Sequence, residues 1–237
     1  GDWSSDVGSS DLLADWHVAN ILNDEYFCLE VEKLVMSTLK KCEEAAAGVT
    51  SRDFKTVKNI TEALILSGIA IGMVGASRPA SGGEHYMSHC FEMMFMNSGN
   101  NTKWLHGNTV GVGVGIVAYA YKYARDIDIN EMLEKGDYLH LDKNKWMKNI
   151  IDVFTISGEN IIEFKQGSIN FNEKEREVTM QKIVSKWDDI KNICDVFVPE
   201  PTEIIKTLKK AGAVWNPKDL GFDKEIFRKS FIAAKDM

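Results

Sequence analysis

Three of the five histidines in this 237-residue chain fall within one short stretch. His85 and His89 are four residues apart in HYMSH, so a helix would place both imidazoles on one face, one turn apart. His106 follows in LHG, at a predicted junction between a loop and a helix. Imidazole is the commonest metal ligand at neutral pH, and a carboxylate usually completes a catalytic site that keeps an open position. This spacing is compatible with a metal site and also with a solvated helix face.

The composition restricts the classes of partner. Hydrophobic residues make up 44% of the chain, enough for a sizeable core and too many for a disordered protein. The net charge of −7 argues against a nucleic-acid or anionic-membrane surface, which needs a basic stripe. The most apolar window, residues 64–74, is short for a bilayer span. We therefore expect a globular protein with no nucleic-acid partner and no membrane insertion.

The four cysteines indicate the compartment. Cys28, Cys42, Cys90 and Cys194 form no C-x-x-C pair. Reduced thiols are the simplest interpretation, and together with the lack of a recognisable signal peptide they predict a cytoplasmic location.

The elements that must position the histidines are predicted to be helices. Apolar periodicity and capping residues predict helices over 11–22, 25–47, 54–73, 84–96 and 110–125, followed by amphipathic helices such as 145–154, 175–186, 203–211 and 224–234. Residues 1–10 read as a loop or frayed terminus. No alternation of strands and helices occurs, so no dinucleotide-binding Rossmann unit is predicted. The fold class expected is all-α, with residues 1–237 as one helical metal-binding domain.

Two helices contain glycines in apolar surroundings. The helix over 54–73 is apolar nearly all round, which predicts burial, with Gly68 and Gly72 allowing neighbours to approach closely. Gly111, Gly113 and Gly115 lack the G-x-G-x-x-G spacing and a preceding strand, so close helix packing is favoured over a phosphate loop.

The helix that carries the first two histidines has a start signal of its own. Ser81 and Glu84 have the spacing of a capping box. In that motif the side chain of each residue accepts a hydrogen bond from the backbone N–H of the other.

The histidine motifs lie within a longer stretch that resembles a known family. SGIAIGMVGASRPASGGEHYMSH (67–89), followed by LHGNTVGVG (105–113), resembles the glycerol-1-phosphate dehydrogenases of the iron-dependent alcohol dehydrogenase and dehydroquinate synthase-like superfamily. GSSDLLADW (8–16) is similar to the family's metal-binding aspartate segment, although Ser10 stands where a glycine is usual and the segment is shortened. The segment PKDLGFD (217–223) is similar to a helical connection late in the sequences of that family. The strong motifs cover about residues 65–115.

The resemblance assigns roles to the chemistry-bearing residues. It implies that Asp11, His85 and His106 are ligands of a divalent metal, with zinc, iron and nickel all compatible. Asp15, one turn later, is a competing choice for the aspartate. His89 is implied to lie near metal and substrate, as a catalytic proton relay.

The resemblance also implies a substrate and a cofactor. Arg78 and Ser81 precede the metal helix, where a substrate phosphate would meet them. The activity implied is that of an NAD- or NADP-dependent dehydrogenase of glycerol 1-phosphate, glycerol or another polyol. Members of the family carry an N-terminal nucleotide-binding α/β domain, so this chain is expected to be the catalytic half, inactive alone. A homo-oligomer is a further expectation.

Two other functions stay open at this point. A lyase or cyclase of the dehydroquinate synthase type shares the H-x-x-x-H and LHG elements, but it normally offers a glutamate as first ligand. A non-enzymatic helical module could hold a metal that only stabilises the fold. Structural zinc sites usually have four protein ligands, which argues against the module.

Overall fold

The computed structural model describes residues 10–98, 104–165 and 172–237 of the chain. These residues form twelve α-helices and no strand, so the all-α prediction is confirmed over the described part. The helices are α1 (Ser10–Asn23), α2 (Leu29–Ala45), α3 (Phe54–Val74), α4 (Gly83–Asn97), α5 (His106–Arg125), α6 (Ile129–Lys135), α7 (Lys143–Phe154), α8 (Gly158–Lys165), α9 (Glu173–Ser185), α10 (Trp187–Phe197), α11 (Pro201–Lys210) and α12 (Lys224–Ala234). The loop predicted over 1–10 lies outside the described residues except for Ser10, which begins α1.

The helix α5 lies at the centre of the fold. Val112 packs in a core with Phe91 and Phe154, whereas Val110 and Val114 belong to a second core beneath α1, α10 and α11. Both sides of α5 are therefore covered, as its valine-rich sequence requires.

One glycine of α5 permits close contact with α4. A Cβ atom at Gly113 would lie 2.5 Å from the backbone oxygen of Glu84, which is closer than real Cβ contacts allow. The prediction that this glycine serves helix packing is confirmed. This close contact fixes the first turn of α4 against α5, and His85 lies in that turn.

The start of α4 differs from the prediction. Gly82 is the N-cap, and Ser81 caps nothing through its side chain. The Oε1 atom of Glu84 does accept from the backbone N–H of the N-cap residue at 2.9 Å, but that residue is Gly82 and not Ser81. The predicted capping box between Ser81 and Glu84 is therefore wrong.

The prediction that α3 is buried is wrong. Only Thr56, Ala63 and Ala70 are buried, because these small side chains let α2 cover one side of the helix. Phe54 and Ile65 on the other side are 84% and 59% exposed. By length and composition α3 could cross a membrane, a test that core helices of soluble proteins also pass.

The glycines of α3 are also placed differently from expectation. Among the described residues, a Cβ atom at Gly68 or Gly72 would meet nothing within 4 Å. These glycines therefore serve no packing contact within the described chain.

The cysteines agree with prediction. All four are thiols, and Cys42, Cys90 and Cys194 are buried. Burial raises the pKa of the Cys90 thiol to about 12, so it is uncharged at neutral pH.

Candidate metal centre

The structure brings three histidines together at the junction of two helices. His85 and His89 lie one turn apart on α4, and His106 is the first residue of α5. The ring centroids of His85 and His106 are 5.4 Å apart, those of His89 and His106 5.5 Å, and those of His85 and His89 6.0 Å. The side chains are 16%, 51% and 35% exposed for His85, His89 and His106 respectively. Solvent and a small molecule can therefore reach the cluster.

A buried glutamate holds the ring of His85. The Oε1 atom of Glu84 lies 2.7 Å from Nδ1 of His85, and the Glu84 side chain has no exposed surface. Because the same oxygen accepts from the Gly82 N–H, it is fixed from two directions. The ring of His85 is thereby fixed in orientation.

A second glutamate holds the ring of His106. The Oε1 atom of Glu92 lies 2.6 Å from Nδ1 of His106 and accepts from the Thr109 hydroxyl at 3.1 Å. Its other oxygen is 3.4 Å from Nδ1 of His89. Burial raises the pKa of Glu92, but hydrogen bonds with His106 and Thr109 outweigh that effect and leave it below its usual value. Glu92 is therefore an ionised acceptor between two imidazoles.

Sequence reasoning did not identify Glu92. The signal was present, because Glu92 follows His89 by three residues and His85 by seven, which places all three on one helix face. One ligand atom from each of His89, Glu92 and His106 lies within 4.8 Å of the others, a spacing at which a metal ion could be held.

Three carboxylates form a second group next to His85, in which Asp11 and Glu84 are buried and Asp15 is half-buried. Asp11 is completely buried, and neither of its oxygens has a hydrogen-bond partner among the described residues. Asp15 accepts from the Gly83 N–H and from the Tyr121 hydroxyl. The Oε2 atom of Glu84 also has no partner there.

The electrostatics of this carboxylate cluster favour a cation. Burial, followed by repulsion from Glu84 and Asp15, raises the pKa of Asp11 well above its usual value. Burial and the charge of Glu84 raise the pKa of Asp15 to about 7. Buried carboxylates without partners are stabilised either by protons or by a positive ion. The orphaned oxygens and the imidazole donors together fit a divalent cation.

The predicted metal ligands are thus partly assembled. The structure brings His85 and His106 together, whereas Asp11 is grouped with Asp15 and Glu84. Glu84 connects the two groups, because one of its oxygens holds His85 and its charge acts on both aspartates. The assignment of Asp11 as a ligand stays a prediction.

The residues predicted to bind substrate line a cavity beside the histidines. Arg78, Ser81, His85 and His89 are among the lining residues, and the cavity volume is about 330 Å³. Arg78 donates from Nε and Nη2 to Glu25, both at 2.7 Å. Helix α2 begins at Leu29 instead of residue 25 as predicted, so Glu25 precedes the helix. A phosphate here would meet a guanidinium that is already paired.

The comparisons with known proteins agree with the resemblance. No protein-family model matches the chain. A glycerol-1-phosphate dehydrogenase [NAD(P)+] from Halalkalibacterium halodurans is 45% identical over 105 residues, which cover 44% of this chain and 26% of the relative. The enzyme of the same name from Geobacillus stearothermophilus is 26% identical over 222 residues, 94% of this chain and 46% of the relative. A third, from Sulfolobus acidocaldarius, is 34% identical over 107 residues.

The extent of these matches is limited. In the match with the Geobacillus stearothermophilus enzyme the chain spans about half the length of the relative. Over the part that it spans, the chain is similar in sequence to these glycerol-1-phosphate dehydrogenases.

Proposed function

We propose that this chain is the metal-binding part of an NAD(P)-linked oxidoreductase that interconverts glycerol 1-phosphate and dihydroxyacetone phosphate. The observation that carries the proposal is the convergence of His85, His89 and His106 beside a cavity, with two of the rings held by carboxylates. The relatives' names support the reaction and its cofactor.

The ligands proposed for the metal are His85, His106 and Asp11. A divalent cation stabilises the alkoxide of a secondary alcohol and polarises the corresponding ketone. Two imidazoles and one carboxylate leave the ion a net positive charge and open positions, as that chemistry needs. The donor set is compatible with zinc, iron or nickel. Glu92 is the competing carboxylate, because it lies directly between His89 and His106.

The other residues of the cavity orient substrate and move a proton. His89 is the most exposed of the three imidazoles, and its ring can relay the hydroxyl proton to solvent. Arg78 and Ser81 would contact the phosphate from the cavity wall. Glu25 holds the guanidinium in place and also lowers its net attraction for an anion. Discrimination between phosphorylated and free polyols therefore depends on the Glu25–Arg78 pair.

The cofactor is proposed from the relatives' names, which do not separate NAD from NADP. The described helices contain no parallel sheet of the kind that binds dinucleotides, so the nicotinamide is proposed to be bound by a separate nucleotide-binding domain.

Neither the lyase nor the structural-metal alternative is favoured. The relatives reported above are dehydrogenases, and they do not favour the dehydroquinate synthase-type lyase. A purely structural metal is disfavoured because the imidazole cluster is open to solvent. The absence of a nucleic-acid partner, the homo-oligomer and the cytoplasmic location stay predictions.

The activity is tested by NAD(P)H-dependent reduction of dihydroxyacetone phosphate. The chain is assayed alone and fused to the N-terminal part of the Halalkalibacterium halodurans relative. We expect the fused protein to turn over only with a divalent metal, and the chain alone to be inactive. His106→Ala should abolish turnover because a two-ligand site holds the ion poorly. A fused protein that binds metal yet reduces no ketone would contradict the proposal and favour the lyase.

A further inference from the structure

The proposed ligands His85 and His106 share a feature that the sequence motifs do not describe. Each ring is contacted at Nδ1 by a glutamate of α4, at 2.7 Å by Glu84 and at 2.6 Å by Glu92. Glu84 lies in the first turn of α4 and Glu92 about two turns later, and each glutamate contacts the same ring atom of its imidazole. Because the same contact occurs at both imidazoles, we look for one role that both glutamates share.

The Glu84 contact is rigid. The side chain is fully buried, and its Oε1 atom is held both by His85 and by the Gly82 N–H. Gly82 is itself closely packed, because a Cβ atom there would lie 2.6 Å from the Asp15 carboxylate. A carboxylate whose position is fixed in this way selects one orientation of the ring that it contacts.

The Glu92 contact is part of a hydrogen-bond network between α4 and α5. Its Oε1 atom accepts from Thr109, and the Thr109 hydroxyl is 2.7 Å from the buried Ser88 hydroxyl. The Ser88 hydroxyl in turn lies 3.3 Å from Nδ1 of His106. This network fixes Glu92 relative to the first turn of α5, where His106 stands.

The tautomers follow from donor and acceptor rules. In each case a carboxylate oxygen that already accepts from a second protein donor contacts Nδ1, so the Nδ1 atom is the donor of that contact and carries the hydrogen. In a neutral imidazole the lone pair is then on Nε2. Metal-ligating histidines commonly donate their second N–H to a carboxylate, which raises the basicity of the ligating nitrogen.

We propose that Glu84 and Glu92 are positioning residues that hold His85 and His106 as Nδ1–H tautomers, so that both rings present Nε2 to one cation. This inference rests on the metal site of the proposed function. It assigns Glu92 to orientation of His106 and not to direct coordination. The Oε1 atom of Glu92 accepts from His106 and Thr109, and its Oε2 atom lies 3.4 Å from Nδ1 of His89, so both oxygens are already engaged by protein groups.

The tautomers are tested first, without any metal. Nitrogen-15 NMR of the histidine rings in the metal-free chain should show His85 and His106 protonated at Nδ1. Glu92→Ala should remove that preference at His106 and leave His85 unchanged, whereas Glu92→Gln should largely retain it because an amide oxygen still accepts. Rings protonated at Nε2 in the unaltered chain would overturn the proposal.

Metal affinity and the ligand field are tested next, with Co²⁺ and a competing chelator. Glu84→Ala and Glu92→Ala should each weaken Co²⁺ binding by roughly 10–100-fold, the usual effect of losing such a partner. The visible absorption of bound Co²⁺ should keep its position and intensity, because the ligands are unchanged. Glu177→Ala, an exposed glutamate of α9, is the matched control and should change nothing.

Each remaining outcome is decisive. A changed Co²⁺ spectrum in both Glu92 variants would identify Glu92 as a ligand and overturn its positioning role. Unchanged affinity in Glu84→Ala and Glu92→Ala would also overturn it while leaving the metal site intact. Failure of the unaltered chain to bind Co²⁺ would overturn both the inference and the proposed function.

Discussion

The helices α3 and α5 have similar compositions and opposite environments. Both are long, apolar and interrupted by glycines. In α5 ten residues from Gly107 to Ala118 are buried, and Gly113 touches the backbone of α4. In α3 only three residues are buried, and Gly68 and Gly72 meet nothing described within 4 Å. An apolar composition with glycines therefore does not by itself say whether a helix is buried.

The difference arises from what surrounds each helix. The helix α5 lies between two cores and carries His106 at its first turn, so its packing determines the geometry of the candidate metal centre. The helix α3 is covered mainly by α2 and leaves an apolar face exposed. Substitutions at matched positions of the two regions should accordingly have very different effects.

The largest contrast is expected from truncating an apolar side chain. Phe91→Ala, beneath the α4–α5 pair, should lower the free energy of unfolding by about 3–5 kcal/mol because it leaves a cavity in a closed core. Ile65→Ala on the exposed face of α3 should change it by less than about 0.5 kcal/mol. Urea denaturation of both variants measures the difference. A similar loss in Ile65→Ala would show that the α3 face is covered in solution.

The glycines should respond with opposite signs. Gly113→Ala should destabilise by about 1–3 kcal/mol, because the new methyl group collides with the Glu84 backbone. Gly68→Ala should stabilise by about 0.5–1 kcal/mol, since alanine favours a helix where space is open. Urea denaturation measures the free energy of unfolding of both variants. Destabilisation by Gly68→Ala would indicate a close neighbour at α3.

The carboxyl groups of the two regions should give opposite pH dependences in the metal-free chain. The pKa of Asp15 is raised to about 7, so the folded state holds a proton that the unfolded state releases near pH 4. This group therefore makes stability fall as pH rises from about 4 to 7, and Asp15→Asn should reduce that fall. Glu62 of α3 has a pKa lowered by a hydrogen bond from Lys41, so its contribution rises with pH as the carboxyl ionises.

The pH experiment has a direct control. Glu62→Gln should leave the fall between pH 4 and 7 nearly unchanged, because the lowered pKa of Glu62 places most of its titration below that range and the side chain is exposed. An identical pH profile for Asp15→Asn and the unaltered chain would contradict the raised pKa of Asp15.

Much of the fold was predictable because helices are encoded locally. Helix positions followed from apolar periodicity, and the four-residue spacing of His85 and His89 placed them on one face as expected. Burial of α3 was not predictable, because it depends on which elements cover a helix and not on the helix itself. The Glu25–Arg78 pair joins residues that are 53 positions apart, so no local sequence pattern predicts it. Glu92 could have been found from helical spacing alone.

The central claim is that His85 and His106 hold one divalent cation. Titration of the purified chain with Zn²⁺, followed by calorimetry, tests it most directly. We predict one ion per chain, affinity reduced at least about 100-fold by His106→Ala because a proposed ligand is lost, and no change in His140→Ala, whose histidine is exposed and outside the cluster. Equal affinity in the unaltered chain and His106→Ala, or no binding at all, would contradict the account.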